Sequence, residues 1–447
     1  MGESPDATTS VDATAAPAPD APPLVGHALP YARDPLGFVE RAVADHGPIV
    51  SLSLPRREGL LLADPDAIGR VLAGNADNYR KGEFQRRELG GLLGDGLLIS
   101  EGESWESARR AIQPAFDPGR IADHASTIVD CADDRIAEWE AGETADLLEA
   151  TSEITLTVLG EALFDTDLRD ATEVRDAARA VTDRFSPRGS LPFHVPDWVP
   201  LPRNLRYRRA VDRLDTFVEC LLAERRAEVG MDGETDGGSD LLSVLLAAGM
   251  DDTEVRDHLV TFLLAGQETT ALALTYTLHC LATHPNEQAA VAAEVADIDG
   301  RPEMADSLPR TDRAIREAMR LYPPVHLVMR EAVADDTVGG YHVPAGSLVL
   351  CSQWATHRRS ELYDDPESFR PGRWETADHA QYAYFPFGAG QRICIGRRFA
   401  LLEARLVLAR LLQAFRVEPV TEELDLAASM TLAPTSPVEV RRRERES

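Results

Sequence analysis

The chain has 447 residues, a formal net charge of −29, 44% apolar residues and only 6% aromatic ones. So acidic a surface repels nucleic acid and anionic membranes and excludes polyanion binding as the main role. The apolar share is ample for a core, which aliphatic and alanine-rich helices must fill. Lys81 is the single lysine among 46 basic residues, a composition expected of a salt-adapted source such as a halophilic archaeon. The five cysteines (Cys131, Cys220, Cys280, Cys351 and Cys394) are scattered, odd in number and form no CxxC pair. A zinc ribbon or thioredoxin-type site is therefore not expected, and a reducing, cytoplasmic compartment is.

Residues 1–22, rich in Ala, Pro, Thr and Asp, read as a disordered tail. They have neither the basic flank nor the apolar run of a signal peptide or membrane anchor. Order is expected from residue 23. Asp34-Pro35 opens a short helix, and residues 49–54 and 59–63 read as partner strands. Residues 80–99 are Gly-rich and read as an irregular loop. A helix over 103–113, ended by Pro114, puts Trp105 and Arg109 on one face. Three helical patterns fill 118–185. The Pro-rich stretch 186–202 is either a mobile lid or a plain connection. A long helix is expected over 204–229 and a flexible loop over 230–239.

Residues 252–283 are apolar nearly all round, which implies a helix buried through the middle of the domain, with Asp251, Asp252 and Thr253 as N-cap candidates. It carries Ala265-Gly266-Gln267-Glu268-Thr269-Thr270. Gly266 lets a planar ligand approach the backbone, and the Thr269 hydroxyl can bond the carbonyl of Ala265 or Gly266 and open the helix locally. A further helix, 311–321, holds Glu317 and Arg320 three residues apart. Residues 325–330 are extended, 338–350 read as a hairpin, and strand-like pieces lie near Val417 and Val438. Residues 441–447 form a charged tail expected to fray.

The most informative stretch is Phe387-Gly388-Ala389-Gly390-Gln391-Arg392-Ile393-Cys394-Ile395-Gly396, placed directly before an apolar helical pattern over 397–415. A cysteine just before a helix N-terminus meets N–H groups that favour a thiolate. Gly390 and Gly396 allow tight turns and close approach to something flat. Phe387 supplies an apolar wall beside the sulfur, and Arg392 can reach an anionic group next to it.

These patterns, in this order, resemble the signatures of the cytochrome P-450 family. They are Trp-x-x-x-Arg at Trp105 and Arg109, the Gly-x-Glu-Thr-Thr run of the central helix, Glu-x-x-Arg at Glu317 and Arg320 with a later Arg373, and Phe-x-x-Gly-x-Arg-x-Cys-x-Gly at 387–396. The resemblance implies a mainly α fold with a small β region, one large domain over 23–440 enclosing one haem b. It implies that Cys394 is the axial metal ligand. The haem would be held by Trp105, Arg109, Ala265, Gly266, Arg330, Phe387, Gly388, Arg392, Cys394 and Gly396, with Trp105, Arg109, Arg330 and Arg392 at the propionates. Glu268 and Thr269 would be catalytic, managing protons. Glu317, Arg320 and Arg373 would form a buried structural triad. The 80–99 loop would roof a substrate pocket lined by Leu98, Phe262, Ala265, Val325, Leu327, Val328 and Thr431.

The implied reaction is insertion of one oxygen atom from O2 into an apolar organic substrate, whether a lipid, a fatty acid or a terpenoid-like molecule. No GxGxxG follows a strand and no CxxxxCxxC cluster occurs, so electrons are expected from a separate ferredoxin or flavodoxin-like donor. Arg109, Arg110, Arg392, Arg397, Arg398 and Arg405 are expected to form its basic dock. Two rivals stay open: a peroxide-using haem-thiolate enzyme, against which the intact Glu268–Thr269 pair argues, and a non-enzymatic haem-based gas binder.

Overall fold

The 32-residue helix Asp252–Thr283 is the axis on which the other helices pack. A capping box starts it: Asp251 Oδ1 accepts the N–H groups of Thr253 and Glu254, and Glu254 Oε2 accepts that of Asp251. Pro285 stops it and opens the next helix, Pro285–Ala296. Leu147–Leu159, Pro202–Asp232, Pro309–Leu321 and Arg397–Ala414 pack around it, and one contiguous apolar core joins them. Threonines bring Leu147–Leu159 close. Thr155 Oγ1 donates to Gln267 O (3.1 Å) and Thr151 Oγ1 to Ala271 O (3.1 Å), on either side of the Glu268–Thr269 pair. The computed structural model describes residues 15–22, 25–55, 57–140, 142–169, 171–185, 199, 201–232, 240–376 and 378–444.

A five-stranded sheet stands to one side, in the order Ile49–Leu54, Arg57–Leu62, Leu348–Ser352, Leu327–Ala332, Tyr79–Arg80. It is antiparallel except where Arg57–Leu62 runs parallel to Leu348–Ser352. A three-stranded sheet joins Thr144–Asp146, Glu439–Glu444 and Phe415–Pro419. Two small antiparallel pairs complete the β part, Asp336–Val338 with Tyr341–Val343 and Leu426–Ala428 with Leu432–Pro434.

Several expectations need correction. Within the expected loop 80–99, Glu83–Leu93 is a helix, because Leu89, Leu92 and Leu93 at helical spacing reach the core. Among the described residues, 118–185 hold four α-helices rather than three, Pro118–Asp123, Ala125–Ala137, Leu147–Leu159 and Thr172–Phe185, with a π-helical turn Gly160–Phe164 continuing the third. The hairpin is only 336–343; Leu348–Ser352 leaves it to join the large sheet. The long helix continues to Asp232, through Gly230. The expected tails are shorter on their inner sides. Ala16 is buried and Ser51 N–H donates to Pro17 O (2.7 Å), so residues 15–22 are docked on the sheet. At the other end Arg442 is buried beneath its strand, pairs with Glu143 (3.0 Å) and stacks on Trp139. Residues 1–14, most of the 186–202 stretch, 233–239 and 445–447 lie outside the described residues.

Candidate active site

The central helix is buried along most of its length, but Leu264, Ala265, Gly266, Glu268 and Thr269 keep accessible surface. Ala265, Gly266 and Thr269 face a cavity of ≈ 330 Å³. Trp105, Arg109, Arg330, Phe387, Gly388, Arg392, Cys394 and Gly396 line the same cavity. Residues scattered over nearly 300 positions therefore meet in one place, as a single domain requires.

The cysteine loop is shaped by its backbone. Cys394 N–H donates to Phe387 O (3.0 Å), closing a turn that passes Gly388 and Gly390, both at positive φ (+71° and +68°). A side chain at Gly390 would strike Leu72 O at 1.9 Å, whereas one at Gly388 would meet no described atom within 4 Å. Gly396 has ordinary dihedrals and precedes the helix Arg397–Ala414. Arg109 Nη1 crosses to donate to Ile393 O (3.1 Å), which ties the Trp105 helix Gly102–Ile112 to the loop.

Cys394 has accessible surface, but that surface is cavity wall deep in the protein. Burial pushes its thiol pKa up, opposed by the N–H groups of Gly396 and Arg397 and by the charge of Arg109. The sequence reading expected a stabilised thiolate. The stabilising groups are present, but desolvation outweighs them.

The wall beyond Arg392 is cationic. Arg392 stacks over Trp105 (4.3 Å), pairs with Glu101 (2.7 Å) and donates to Ser100 O (2.8 Å). Arg330 is buried and donates to Met329 O (2.8 Å). Lys81 also lines the cavity, and its ammonium has no hydrogen-bond partner among the described residues. Burial, followed by the charges of Arg330 and Arg392, drives its pKa well below the usual lysine range. Burial likewise lowers Arg109, Arg330 and Arg392. Among the described residues three arginines and Lys81 face the cavity, with Glu101 as the carboxylate paired to Arg392; a ligand carrying more than one negative charge would offset their mutual repulsion and favour the charged form of Lys81. Sequence reasoning missed Lys81; being the only lysine of an arginine-rich chain was its one signal.

Thr269 Oγ1 donates to Ala265 O (2.8 Å), as expected. Glu268 does not line the cavity. One position on along a helix is about 100° of rotation, and Glu268 Oε1 accepts from Thr431 Oγ1 (3.0 Å) in the turn after Leu426–Ala428. Thr431 is thus a partner of Glu268 and not a pocket residue. Leu327 is also removed from the pocket: alternation along Leu327–Ala332 sends Val328 and Arg330 to the cavity and Leu327 and Met329 to the far side of the sheet. Leu98, Phe262, Ala265, Val325 and Val328 line the cavity.

Among the described residues no three His, Cys, Asp or Glu side chains are grouped to hold a metal ion. A metal at Cys394 would have to bring its other ligands with it, as an iron porphyrin does. The cations, the open face at Gly388 and the lone thiol all fit a haem with its two carboxylates. A family model, that of cytochrome P-450, matches residues 16–441.

The chain belongs to the cytochrome P-450 family. It is 37% identical over 420 residues to a cyclooctat-9-en-7-ol 5-monooxygenase of Streptomyces melanosporofaciens, covering 90% of this chain and 89% of that one. It is 34% identical over 420 residues to cyclooctatin synthase of the same organism, covering 90% of each. It is 32% identical over 415 residues to pentalenene oxygenase of Streptomyces avermitilis, again covering 90% of each. This cytochrome P-450 is a monooxygenase with a haem-thiolate cofactor, and among its described residues no helix is long and apolar enough to cross a membrane.

The Glu-x-x-Arg pair of this cytochrome P-450 is structural in its geometry. Arg320 grips Glu317 with two parallel bonds (2.9 and 3.0 Å), and Arg373 Nε adds a third (2.8 Å). Trp374 Nε1 and Arg370 N–H fill the remaining acceptor positions of Glu317 (2.9 and 3.0 Å). The cluster lies outside the cavity and braces the chain that leads into the cysteine loop.

Proposed function

We propose that the protein is a haem b monooxygenase of apolar terpenoid substrates, supplied with electrons by a separate ferredoxin or flavodoxin-like protein. The observation that carries this reading is the single thiol of Cys394 opening into a cavity with cations on one wall and apolar residues opposite. A haem bound through that sulfur supplies an electron-rich iron at which dioxygen is activated.

Cys394 is the ligand, and the N–H groups of Gly396 and Arg397 hold negative charge on its sulfur. Phe387 keeps water from it. Lys81, Arg109, Arg330 and Arg392 neutralise the two propionates, with Trp105 stacked beneath Arg392. Ala265, Gly266 and Gly388 leave room for the macrocycle. Thr269 holds a proton at Oγ1 on the cavity wall, and Glu268, anchored by Thr431, passes protons toward it. Leu98, Phe262, Val325 and Val328 surround the substrate and favour an apolar one.

The terpenoid class is supported by the relatives cyclooctat-9-en-7-ol 5-monooxygenase and pentalenene oxygenase. The test is turnover of a panel of cyclic terpenes, their alcohols and fatty acids under heavy-isotope dioxygen with a ferredoxin system. One heavy oxygen atom should enter a terpenoid. Turnover confined to fatty acids would remove the substrate class, and equal turnover with peroxide alone would favour the peroxide-using rival.

The basic dock is narrower than the sequence suggested. Arg109 and Arg392 turn inward and Arg405 pairs with Asp312, which leaves Arg110, Arg397 and Arg398 exposed on the outer side of the cysteine loop. Reversing Arg397 or Arg398 to Glu should slow reduction about tenfold at unchanged haem content; rates equal to wild type would sink this dock. All five cysteines are free, which supports a reducing cytoplasmic setting. The net charge of −29 and the single lysine support a salt-adapted, halophilic source. Melting should rise on going from low to molar salt, and equal melting in both would withdraw that reading.

A further inference from the structure

Three consecutive side chains of the central helix grip the backbone of the segment that roofs the cavity. Arg256 Nη1 donates to Leu92 O (2.7 Å). Asp257 Oδ2 accepts the N–H of Asp95 (2.7 Å). His258 Nδ1 accepts the N–H of Leu97 (3.2 Å). Arg256 also holds Asp257 Oδ1 (2.9 Å) and is anchored by Asp215 on the helix Pro202–Asp232. The fit is close enough to exclude side chains from the roof at two points. A Cβ at Gly94, which sits at φ +52°, would lie 1.8 Å from Asp257 Oδ2, and one at Gly96 would lie 2.2 Å from Thr261 Oγ1.

The next residues, Leu97 and Leu98, line the cavity. So do Thr261 and Phe262, one helical turn beyond the clip, and Ala265 a turn later. One rigid helix therefore carries the clip, the facing wall and Thr269.

We propose that Arg256, Asp257 and His258 set the height of the cavity ceiling and hold it shut, so that Leu97 and Leu98 select substrates by size. The bonds go to backbone groups, so they fix the path of the roof whatever its side chains are. Asp257 and His258 are buried, and a roof that swung away would strand their acceptor atoms and the two N–H groups they hold. Burial also lowers the His258 pKa, against the charges of Asp257, Glu254 and Asp95, which suits a ring nitrogen serving as an acceptor.

The inference rests on the cavity being the haem and substrate site, and the test separates the two. Holoenzyme is titrated with imidazole and with the bulkier 4-phenylimidazole, read by haem absorption, and backbone hydrogen exchange is followed over residues 92–99. His258→Leu should speed exchange there about tenfold. It should also shift the affinity ratio of the two azoles about fivefold or more. His258→Asn, which keeps an acceptor, should restore both. Unchanged exchange, or faster exchange with an unchanged ratio, overturns the ceiling. Failure of imidazole to bind wild type overturns the haem site and the ceiling with it. If His258→Leu does not fold, Leu98→Ala decides: this exposed residue should shift the ratio and leave exchange at Asp95 and Leu97 as it was, and an unshifted ratio overturns the proposal.

Discussion

Cys394→Ser should fold as the wild type does and lose the strongly red-shifted Soret band that the reduced wild type shows under carbon monoxide. The substitution exchanges one atom. The turn that shapes the loop is made by backbone groups, Cys394 N–H to Phe387 O, and survives it. What is lost is the soft, polarisable sulfur, whose electron donation to iron an alcohol oxygen does not reproduce. Because burial raises the thiol pKa in the free protein, thiolate ligation must expel a proton, and haem uptake by wild type should release that proton into a weakly buffered solution. The mutant should bind haem more weakly, without the proton release. A wild-type band at the position of an imidazole-ligated haem, or an unaltered band in Cys394→Ser, would make Cys394 structural and take the oxygenase mechanism down with it.

What the sequence disclosed and what it hid divide along a physical line. The central helix was legible to the residue because both its ends are set by local chemistry, the Asp251 capping box and Pro285. The cysteine loop was legible because its glycines, arginine and thiol sit at fixed spacing within ten residues. The helix Glu83–Leu93 was hidden because Gly90 and Gly91 each cost it about 1 kcal/mol, and only burial of Leu89, Leu92 and Leu93 by distant elements offsets that. Leu327 was misassigned because alternation gives the two faces of a strand but not which one meets the cavity. The direction of Glu268 was beyond reach for a similar reason: its partner Thr431 is 163 residues away. Lys81 acquires its role only where the cysteine loop, the sheet and the roof converge.

The second large effect should follow from Glu317→Gln. The neutral amide keeps the size of the carboxylate but leaves Arg320, wholly buried, and Arg373, nearly so, without their counter-charge. Breaking a buried pair in this way costs about 3–5 kcal/mol. It also puts an amide NH2 either at Oε1, where Arg320, Arg373 and the Arg370 N–H now donate, or at Oε2, where Arg320 and Trp374 do. The damage has a route to the haem ligand. Trp374 packs on Tyr384 (4.9 Å between ring centres), the carbonyl of His357 is held by Arg320 (2.7 Å), and His357 Nε2 accepts the N–H of Phe385 (3.2 Å). Tyr384 and Phe385 lead directly into the turn that presents Cys394. Glu317→Gln should therefore melt well below wild type and purify with less haem per chain, and whatever haem remains should show a mixed carbon monoxide spectrum. Arg373→Lys should be milder, since one ammonium can still meet Glu317 but cannot also reach the carbonyls of Asp364 and Asp365 that the guanidinium holds (2.8 and 3.1 Å). Melting of Glu317→Gln within about a degree of wild type, with full haem content, would mean that the triad is dispensable and that the cysteine loop is held by its own turns alone.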